Sequence, residues 1–543
     1  MTAIAPYRSP VTPGRDGFAQ LLRAEWTKFR TVRGWVVGIL VAVLLTVGIG
    51  LTGSSGCGFN SNGTGACPAA PTGPGGAAVT DRFYFVHQPL TGDGTVTARV
   101  TSLTGVYSPS GYTGAPQTGP GALKGYRSGV QPWAKAGIMI KASTGQGTAY
   151  AALLVTGANG VRMQDDYTGD IAGLPGPVSA AAPRWLRLVR SGNSVSGYDS
   201  LNGTRWSLVG TVTLSGLPRT AQAGPFTASP SSMVLTQSLG TVATTGAAPT
   251  IATAAFDHVA LSGAGGAWTG TSVGGGAARP GGGNANVNGP GNAAEPFNGG
   301  FRPSGTAGFT VRGSGDIAPN VPEAADGSGT SPTQVLDIGT FLGLIAMVVV
   351  GASFITAEYR RGLIRTTLTA APHRTRVLAA KALVIAAVTF AAGLAATGVT
   401  LLLDVARAGS AIPPLTALTE VRMIVGTAAL LAVASVLALA LGVLARRGVA
   451  AVSAAIVVIV LPFLLAYIPG SLSTGAQDWL LRIFPAAGFA VSQAFPAYHQ
   501  VVAPYQPNMG YFPLAPWVGF LVLCAWAAVA FAAAAYRLGR RDA

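Results

Sequence analysis

The carboxylates in the central part of the chain are residues that could do chemistry, and their spacing decides which chemistry is open to them. Asp165, Asp166 and Asp170 cluster near a predicted turn, and no Glu occurs between Val79 and Ala294. Hydrolysis of a glycosidic bond needs two carboxylates that face each other across that bond. Three aspartates at one turn do not supply that arrangement. We therefore predict no catalytic residue and no hydrolase activity in this chain.

Nucleotide and metal chemistry also lack support in the sequence. No Gly-Lys dipeptide occurs, so the chain has no phosphate-cradling loop of the Walker type. The histidines are scattered without zinc-ligand spacing, at His87, His258, His373 and His499. We predict no metal site and no cofactor in this chain.

Two cysteines lie close together in the sequence. Cys57 and Cys67 follow the first apolar segment and could close a small loop outside the cytoplasm. Sequence alone does not supply the geometry that a disulfide needs, so the oxidation state of this pair is left open. Cys524 lies alone in an apolar segment and is expected to serve packing.

A basic loop between two apolar segments carries the strongest functional signal. Residues 357–381 hold six Lys and Arg against the single acid Glu358: Arg360, Arg361, Arg365, Arg374, Arg376 and Lys381. An Arg at the centre of a bilayer costs about 2.5–3.5 kcal/mol, so this loop stays in water, and its charge predicts the cytoplasmic side. The stretch from Glu358 to Thr369 is predicted as one short helix that ends before Pro372.

The overall composition indicates an integral membrane protein with a soluble part. Only 10% of the residues are charged, the mean hydropathy is +0.44 and the formal net charge is +16. The basic residues concentrate before Gly34, in 357–381, at Arg446 and Arg447, and after Tyr536. This distribution follows the positive-inside rule, and no basic patch interleaved with aromatics points to nucleic acid.

The elements that position the basic loop are six predicted transmembrane helices, with both termini in the cytoplasm. Their predicted bounds are 34–52, 336–356, 382–403, 421–445, 450–468 and 514–536, the last five within a membrane domain over 334–543. Few ionisable residues fall at mid-membrane depth, so a proton-coupled carrier or a channel is not expected. The segment 469–513 is apolar but too short to span, and is predicted as an interfacial or re-entrant element on the outer side.

An amphipathic helix is predicted ahead of the first span, within a cytoplasmic tail over 1–33. Its apolar residues at helical spacing are Phe18, Leu22, Trp26 and Phe29, and basic residues occupy much of the remaining surface. Such a helix is suited to lie in the headgroup region of the cytoplasmic leaflet. The alternative is a plain basic flank without an interfacial role.

The region between the first two spans is predicted to be an extracytoplasmic β-sandwich. Residues 79–262 alternate apolar and polar positions between tight turns, with Leu186 and Leu188 facing one side and Trp185 and Arg187 the other. A linker over 53–78 precedes this part, and a Gly/Pro-rich linker over 263–333 follows it, with one further strand suggested within 309–319. A fragment over 76–265 is expected to fold alone.

The membrane part resembles a known family. The loop EYRRGLIRTTLTAAPHRTRVLAAK, the closing YRLGRRDA, the basic first helix and the six spans resemble an ABC-2-type ABC transporter permease of actinobacterial kind. The resemblance implies the permease subunit of an ATP-driven exporter, which forms a homodimer or a heterodimer with a second permease copy. Its loop docks on a separate ATP-binding subunit that holds ATP and Mg. The docking role then falls on Glu358, Tyr359, Arg360, Arg361, Gly362 and Arg365. The alternative is that these charges only set the topology.

The predicted sandwich resembles the concanavalin A-like lectin and glucanase sandwiches, in the stretches that contain WAKAGIMIKAS and PRWLRLVRSGN. This resemblance implies a non-catalytic recognition domain in a jelly-roll arrangement. Aromatic residues that could stack on sugar rings are Trp133, Tyr167, Trp185 and Trp206, although core packing is the more common role of such residues. The ligand could be a cell-wall glycan, the exported substrate or a protein. The competing function is a lectin-like receptor in the plasma membrane that does not transport.

Overall fold

The computed structural model contains a helical bundle and a β-sandwich. It describes residues 17–53, 70–107, 127–236, 244–248, 250–263, 266–274, 299–305, 307–322, 331–360, 362–370, 373–408, 414–468, 471–503 and 505–540. The predicted disulfide partners Cys57 and Cys67 lie outside the described residues.

The described helices are, in chain order, α1 Phe18–Thr31, α2 Arg33–Gly53, α3 Pro332–Arg360, α4 Leu363–Ala370, α5 Arg374–Ala408, α6 Ala417–Ala445, α7 Gly448–Ala455, α8 Leu461–Tyr467, α9 Thr474–Ile483 and α10 Pro516–Arg540. Six helical segments of the described chain are long and apolar enough to cross a bilayer: Arg33–Leu51, Pro332–Arg360, Arg374–Asp404, Ala417–Ala445, Gly448–Tyr467 and Pro516–Arg540. The predicted number of spans is confirmed. The cytoplasmic position of both termini stays a prediction.

Small residues allow the helices of the bundle to approach closely. At Gly351 of α3, an added Cβ would lie 2.5 Å from the carbonyl oxygen of Ser435 on α6. At Gly426 of α6, an added Cβ would lie 2.2 Å from the side chain of Val491. Helices in a membrane associate largely by such close packing, because lipid provides little hydrophobic drive between them.

The fifth span is interrupted rather than straight. α7 passes into a π-helical turn, Ile456–Val460, before α8 begins at Leu461 with Pro462 in its first turn. Proline has no backbone N–H and cannot join the regular ladder, so a local change of helical geometry accommodates it.

The segment between the last two spans returns into the bundle. α9 is followed by a 3-10 helix, Pro485–Ser492, whose eight residues are all buried. A second 3-10 turn, Pro507–Met509, precedes α10. Of the two alternatives left open by the sequence, the burial of Pro485–Ser492 fits the re-entrant one.

The described strands are β1 Val79–Asp81, β2 Phe83–Thr91, β3 Gly94–Tyr107, β4 Arg127–Ser128, β5 Lys135–Lys141, β6 Tyr150–Thr156, β7 Val161–Asp165, β8 Gly169–Ala172, β9 Arg184–Ser191, β10 Ser194–Ser200, β11 Ser207–Thr213, β12 Thr220–Ala228, β13 Ser232–Thr236, β14 Thr244–Ala248, β15 Thr250–Leu261, β16 Thr269–Val273, β17 Gly300–Pro303, β18 Phe309–Gly313 and β19 Ile317–Pro319. All of their pairings are antiparallel.

Two sheets form the sandwich. The eight-stranded sheet has the order β11-β10-β9-β3-β15-β18-β17, with β4 paired to β3, and the seven-stranded sheet has the order β16-β2-β12-β5-β6-β7-β8. Side chains from both sheets bury one common core, which includes Leu186 and Leu188 at 0% exposure. The predicted alternation along β9 is confirmed, since Trp185 and Arg187 are only partly buried on its other face.

The predicted boundary of the sandwich at residue 262 is wrong. β16 pairs with β2, and β18 pairs with β15, so strands from the predicted 263–333 linker belong to both sheets. The strand suggested within 309–319 is confirmed by β18. These strands are only four or five residues long, and low-complexity Gly and Asn runs surround them. Their apolar–polar alternation is therefore hard to recognise in the sequence.

The last and first strands of the β-region form a two-stranded ribbon, β1 with β19, which we call the stem ribbon. It covers the outer face of the seven-stranded sheet, where Val79 and Ile317 join a buried cluster with Phe85. Farther along, Ala318 packs in a cluster with Met509 from the membrane part. The stem ribbon therefore ties the sandwich to the bundle through ordered, buried contacts.

Candidate functional site

The basic loop consists of a sharp turn and a short helix. α3 ends at Arg360, and Gly362 has a φ of +69° before α4 begins at Leu363. Glycine adopts this left-handed conformation without steric cost, so Gly362 permits the break between α3 and α4. The prediction of one continuous helix from Glu358 to Thr369 is wrong for this reason.

The loop presents an exposed surface on a buried anchor. Arg360 and Gly362 are exposed, and Leu363 is 47% exposed. Ile364 is 6% exposed and packs into a cluster with Phe354. Arg365 lies on α4, but its side chain is outside the described parts of the chain, as is the whole of the predicted docking residue Arg361.

Glu358 faces the interior of the bundle instead of the loop surface. It is 5% exposed, and its Oε1 accepts hydrogen bonds from Lys381 on α5 at 2.6 Å and from Lys28 on α1 at 3.2 Å. Lys381 also donates to Oε2 of Glu25 at 2.6 Å, and Lys28 donates to Oε1 of Glu25 at 2.9 Å. These four residues, Glu25, Lys28, Glu358 and Lys381, form what we call the charge cluster.

The charge cluster joins three helices through mutual neutralisation. Lys381 is 0% exposed and Glu25 is 2% exposed, and a buried ion is tolerated only when it is paired and hydrogen-bonded. The ammonium group of Lys381 also lies 4.9 Å from the ring centre of Phe354. Burial lowers the pKa of Lys28, but its hydrogen bonds with Glu25 and Glu358 outweigh this effect and raise the pKa above its usual value.

The charge cluster revises two expectations from the sequence. Lys381 is not merely a topology-setting charge, because it is buried and bonded to both glutamates. Glu358 cannot contact a docked partner directly in this conformation, because its carboxylate is turned inward. Tyr359 is partly buried, with the guanidinium carbon of Arg446 at 5.8 Å from its ring centre.

The predicted apolar face of α1 is divided between two directions. Phe29 is 4% exposed and stacks edge-to-face on Phe354, and Leu22 packs partly against the same cluster. Phe18 and Trp26 are 39% and 48% exposed. Only Phe18 and Trp26 remain open to a headgroup region, because the face that carries Leu22 and Phe29 packs into the bundle.

Tyr167, a predicted sugar platform, is part of the interior. It is 2% exposed, and its hydroxyl donates to Oδ2 of Asp81 at 2.7 Å, while Lys141 donates to that hydroxyl at 3.0 Å. Burial raises the pKa of Tyr167 well above its usual value. Its φ of +70° is a strained conformation for tyrosine, held by the buried bonds to the stem ribbon. The platform role of Tyr167 is therefore wrong for this conformation.

Trp133, a second predicted platform, contacts the membrane part. Its ring packs edge-to-face on His499 with centres 5.6 Å apart, and Arg162 lies over it at 5.9 Å. Nε2 of His499 lies 2.6 Å from Oδ2 of Asp170. Trp133 therefore belongs to a junction between the sandwich and the segment ahead of α10.

Trp185 and Trp206 lie on the outer side of the eight-stranded sheet, each paired with an arginine. The guanidinium carbon of Arg187 lies 3.8 Å from the ring centre of Trp206, and that of Arg99 lies 5.5 Å from the ring centre of Trp185. These two predicted platforms therefore share one face of the sandwich.

Comparison with known families decides the assignment of the membrane part. The model of the family described as "ABC-2 family transporter protein" matches residues 227–543, which is more than half of the chain. The chain belongs to the ABC-2 transporter family. The matched region contains the basic loop and five of the six candidate spans, from Pro332 onward. No curated protein matches the chain by sequence.

Solved structures provide only weak likenesses. A functionally unknown protein from Saccharomyces cerevisiae is 15% identical, with 34% of this chain and 76% of that chain covered and a TM-score of 0.19. A GH43 protein from Bacillus licheniformis is 14% identical, with 25% of this chain and 24% of that chain covered and a TM-score of 0.16. Scytalido-glutamic peptidase is 10% identical, with 43% of this chain and 98% of that chain covered and a TM-score of 0.24. Scores of this size do not establish a shared fold, so the concanavalin A-like assignment rests on the sequence resemblance.

Proposed function

We propose that this ABC-2 family member is the permease subunit of an ATP-driven exporter, with both termini in the cytoplasm. The loop around α4 docks on a separate ATP-binding subunit, which supplies ATP and Mg. A second permease copy completes the membrane unit. The exposed part of the docking surface consists of Arg360, Gly362 and Leu363, with Arg361 and Arg365 from the sequence.

The charge cluster is the observation that carries this proposal. A docking loop transmits force only if its base is rigid, and Glu358 lies two residues before the last residue of α3, Arg360. Through Lys381 and Glu25 it fixes the end of α3 to α5 and α1. A motion of the docked loop is thereby passed to three helices at once.

The positions of the buried acids support an external energy source. Asp337 lies in the first turns of α3 and Asp404 lies near the end of α5, so both stand close to helix ends. Within the described spans, these acids do not form a chain of ionisable groups across the bundle. A proton or ion pathway needs such groups at depth, whereas a permease driven by ATP on a partner does not.

The sandwich is placed outside the cell in this proposal, where it recognises a glycan, the exported substrate or a protein. Its support is topological: it lies between two spans, on the opposite side of the membrane from the basic loop. The second candidate function is a membrane-anchored, lectin-like receptor that does not transport. An anchor has no need of an exposed loop braced by a cluster of four charges, three of them buried, so the exporter is favoured.

Co-purification distinguishes the two functions. The full chain is co-expressed with a P-loop ATPase encoded by a neighbouring reading frame and is isolated in detergent. An exporter subunit should retain the ATPase through purification. A receptor would be recovered without it, and no such ATPase would be encoded nearby.

A further inference from the structure

The outer face of the eight-stranded sheet carries an ordered array of polar and aromatic side chains. The register places Asp257 opposite Arg99, and Arg99 opposite Trp185. One row further, Arg187 lies opposite Tyr198, which in turn lies opposite Leu208.

Arg99 and Arg187 differ in how their charge is used. Arg99 donates from Nε to Oδ1 of Asp257 at 2.6 Å, and the two side chains also form a second bond, so the charge of Arg99 is neutralised. Among the residues that the structure describes, Arg187 has no carboxylate partner. Its guanidinium stacks on Trp206 instead.

Stacking leaves the useful edge of Arg187 free. A guanidinium that packs face-on against an indole keeps its N–H donors in the plane, pointing away from the stack. That fork matches a planar carboxylate in a bidentate arrangement. Next to it, Leu208 is 58% exposed and Tyr198 is partly exposed, which provides a surface for the face of a sugar ring.

Among the described residues, neither attachment of the sandwich to the membrane part uses this face. The stem ribbon covers the other sheet of the sandwich, and the junction with His499 involves Trp133, Arg162 and Asp170. Arg162 lies on β7 and Asp170 on β8, the edge strand of the seven-stranded sheet. The face that carries Arg187 therefore lies on the opposite sheet from both described attachments to the membrane part.

We propose that this face binds an acidic glycan, with the fork of Arg187 holding a sugar carboxylate and Trp206, Tyr198 and Leu208 forming the surrounding surface. The inference rests on the proposed position of the sandwich outside the membrane. A polymer suits the site, because one weak subsite per sugar gains avidity by repetition along the chain.

The charge pattern favours a carboxylate over a phosphate. One free guanidinium balances one singly charged planar group. The nearby Asp257 adds negative charge on the same face and keeps Arg99 occupied. Phosphate groups are more often held by several cations together. The described arginines Arg302 and Arg312 also lie on this face without a carboxylate partner, but on β17 and β18, four and three strands away from Arg187.

The test uses the full chain in lipid nanodiscs and oligogalacturonate as the acidic probe. Binding is measured by isothermal titration calorimetry against three oligomers of equal length: oligogalacturonate, its methyl ester and a glycerol-phosphate polymer. Methyl esterification removes the charge but keeps the sugar backbone. It should weaken binding about tenfold or more, as expected for loss of a charged hydrogen-bonded pair.

Variants locate the site. Arg187→Gln should weaken binding of oligogalacturonate as much as the methyl ester does, and Arg187→Lys should restore only part of it, because lysine lacks the planar fork. Arg219→Gln removes the same charge from an exposed turn and should leave binding unchanged. A matched thermal midpoint for all variants excludes misfolding.

Three results would overturn the proposal: no binding of oligogalacturonate by the intact chain, equal binding of its methyl ester, or tighter binding of the glycerol-phosphate polymer. Unchanged binding in Arg187→Gln would equally overturn it, because Arg187 would then not hold the sugar carboxylate. Each of these outcomes is separable from a failure of the exporter proposal, which is read from retention of the ATPase.

Discussion

Nζ of Lys381 lies 2.6 Å from Oε1 of Glu358, although the turn at Gly362 and the whole of α4 separate the two residues in the chain. This ion pair closes the base of the basic loop. It also accounts for the burial of a lysine and a glutamate where the sequence suggests an exposed cytoplasmic loop. The loop is therefore a braced element whose outer surface is presented by α3 and α4 together.

Removal of Lys381 should destabilise the protein more than removal of one glutamate. Lys381→Met leaves two buried carboxylates with only Lys28 between them, and breaking a buried pair costs about 3–5 kcal/mol. Glu358→Gln leaves Lys381 bonded to Glu25 and should cost less. The free energy of unfolding in detergent micelles measures both effects.

The control for this comparison is Arg376→Gln, because Arg376 lies on the same helix but is exposed. Its effect should stay within about 0.5 kcal/mol. Equal stability of Lys381→Met and Arg376→Gln would show that the charge cluster is not needed for folding.

Residue type and spacing predict the six spans, because each apolar run is as long as the hydrocarbon core of a bilayer is thick. They do not predict the charge cluster. Glu25 and Lys381 are 356 positions apart, and each stands next to basic residues that belong to a cytoplasmic flank. Only the position of Glu25 on the same face of α1 as Phe29 hints that this face is buried.

The isolated sandwich should need the strands after residue 262. A fragment over 70–322 contains both sheets and the stem ribbon, and it should unfold cooperatively as a β-rich domain by circular dichroism. A fragment over 76–265 lacks β16 to β19 and should not fold stably. It also loses Asp316, whose carboxylate accepts a 2.6 Å hydrogen bond from the buried Lys135.

Asp316→Asn in the longer fragment tests this last point alone. It should lower the free energy of unfolding by about 3–5 kcal/mol, since it leaves a buried ammonium group without its counter-charge. If the fragment over 76–265 is as stable as that over 70–322, the strands after residue 262 do not support the sandwich.

The sequence conceals strand β12 for a local reason. β12 is central in its sheet but contains Gly224 and Pro225, residues that usually end a strand. An added Cβ at Gly224 would lie 2.2 Å from the carbonyl oxygen of Val86, so the neighbouring strand requires glycine there. Such a requirement appears only when both strands are in place.

Acid should weaken the sandwich through Asp170. Burial raises the pKa of Asp170, but hydrogen bonds with Arg162, Gln164 and His499 outweigh burial and lower it below its usual value. The pKa of an aspartate in the unfolded chain is about 3.9. Because the pKa of Asp170 is lower in the folded protein, its carboxylate stabilises the fold at pH values above the unfolded pKa. This stabilisation is lost as the pH falls through the folded pKa. Asp170→Asn should therefore be less stable at neutral pH and show a shallower loss in acid.

Asp165→Asn is the control, because the pKa of Asp165 is shifted in the opposite direction to that of Asp170. Burial and the charge of Asp166 raise the pKa of Asp165, so its ionised form disfavours folding at neutral pH. This variant should be more stable than the parent at neutral pH, with the difference vanishing in acid. Thermal midpoints of the full-length chain in lipid nanodiscs, which retains His499, give the comparison from acid to neutral pH, and identical acid profiles for both variants would contradict it.

Tyr167→Phe should affect stability and not ligand binding. The change removes the hydroxyl that bonds Asp81 and Lys141, and a buried group left unsatisfied costs about 1–3 kcal/mol. The folded variant should bind oligogalacturonate as the parent does, because Tyr167 lies on the opposite sheet from Arg187. Loss of oligogalacturonate binding without loss of stability would restore Tyr167 as a platform.

The central claim is that the surface of the basic loop docks an ATP-binding subunit. The double variant Arg360→Glu with Arg361→Glu reverses the charge of that surface, and Arg447→Glu changes a charge at another exposed site. Retention of the neighbouring ATPase is measured by co-purification with each full-length variant, after membrane insertion is verified. We expect the double variant to lose the ATPase and Arg447→Glu to keep it. Retention of the ATPase by the double variant at the level of the unmodified chain would contradict the docking role of the loop.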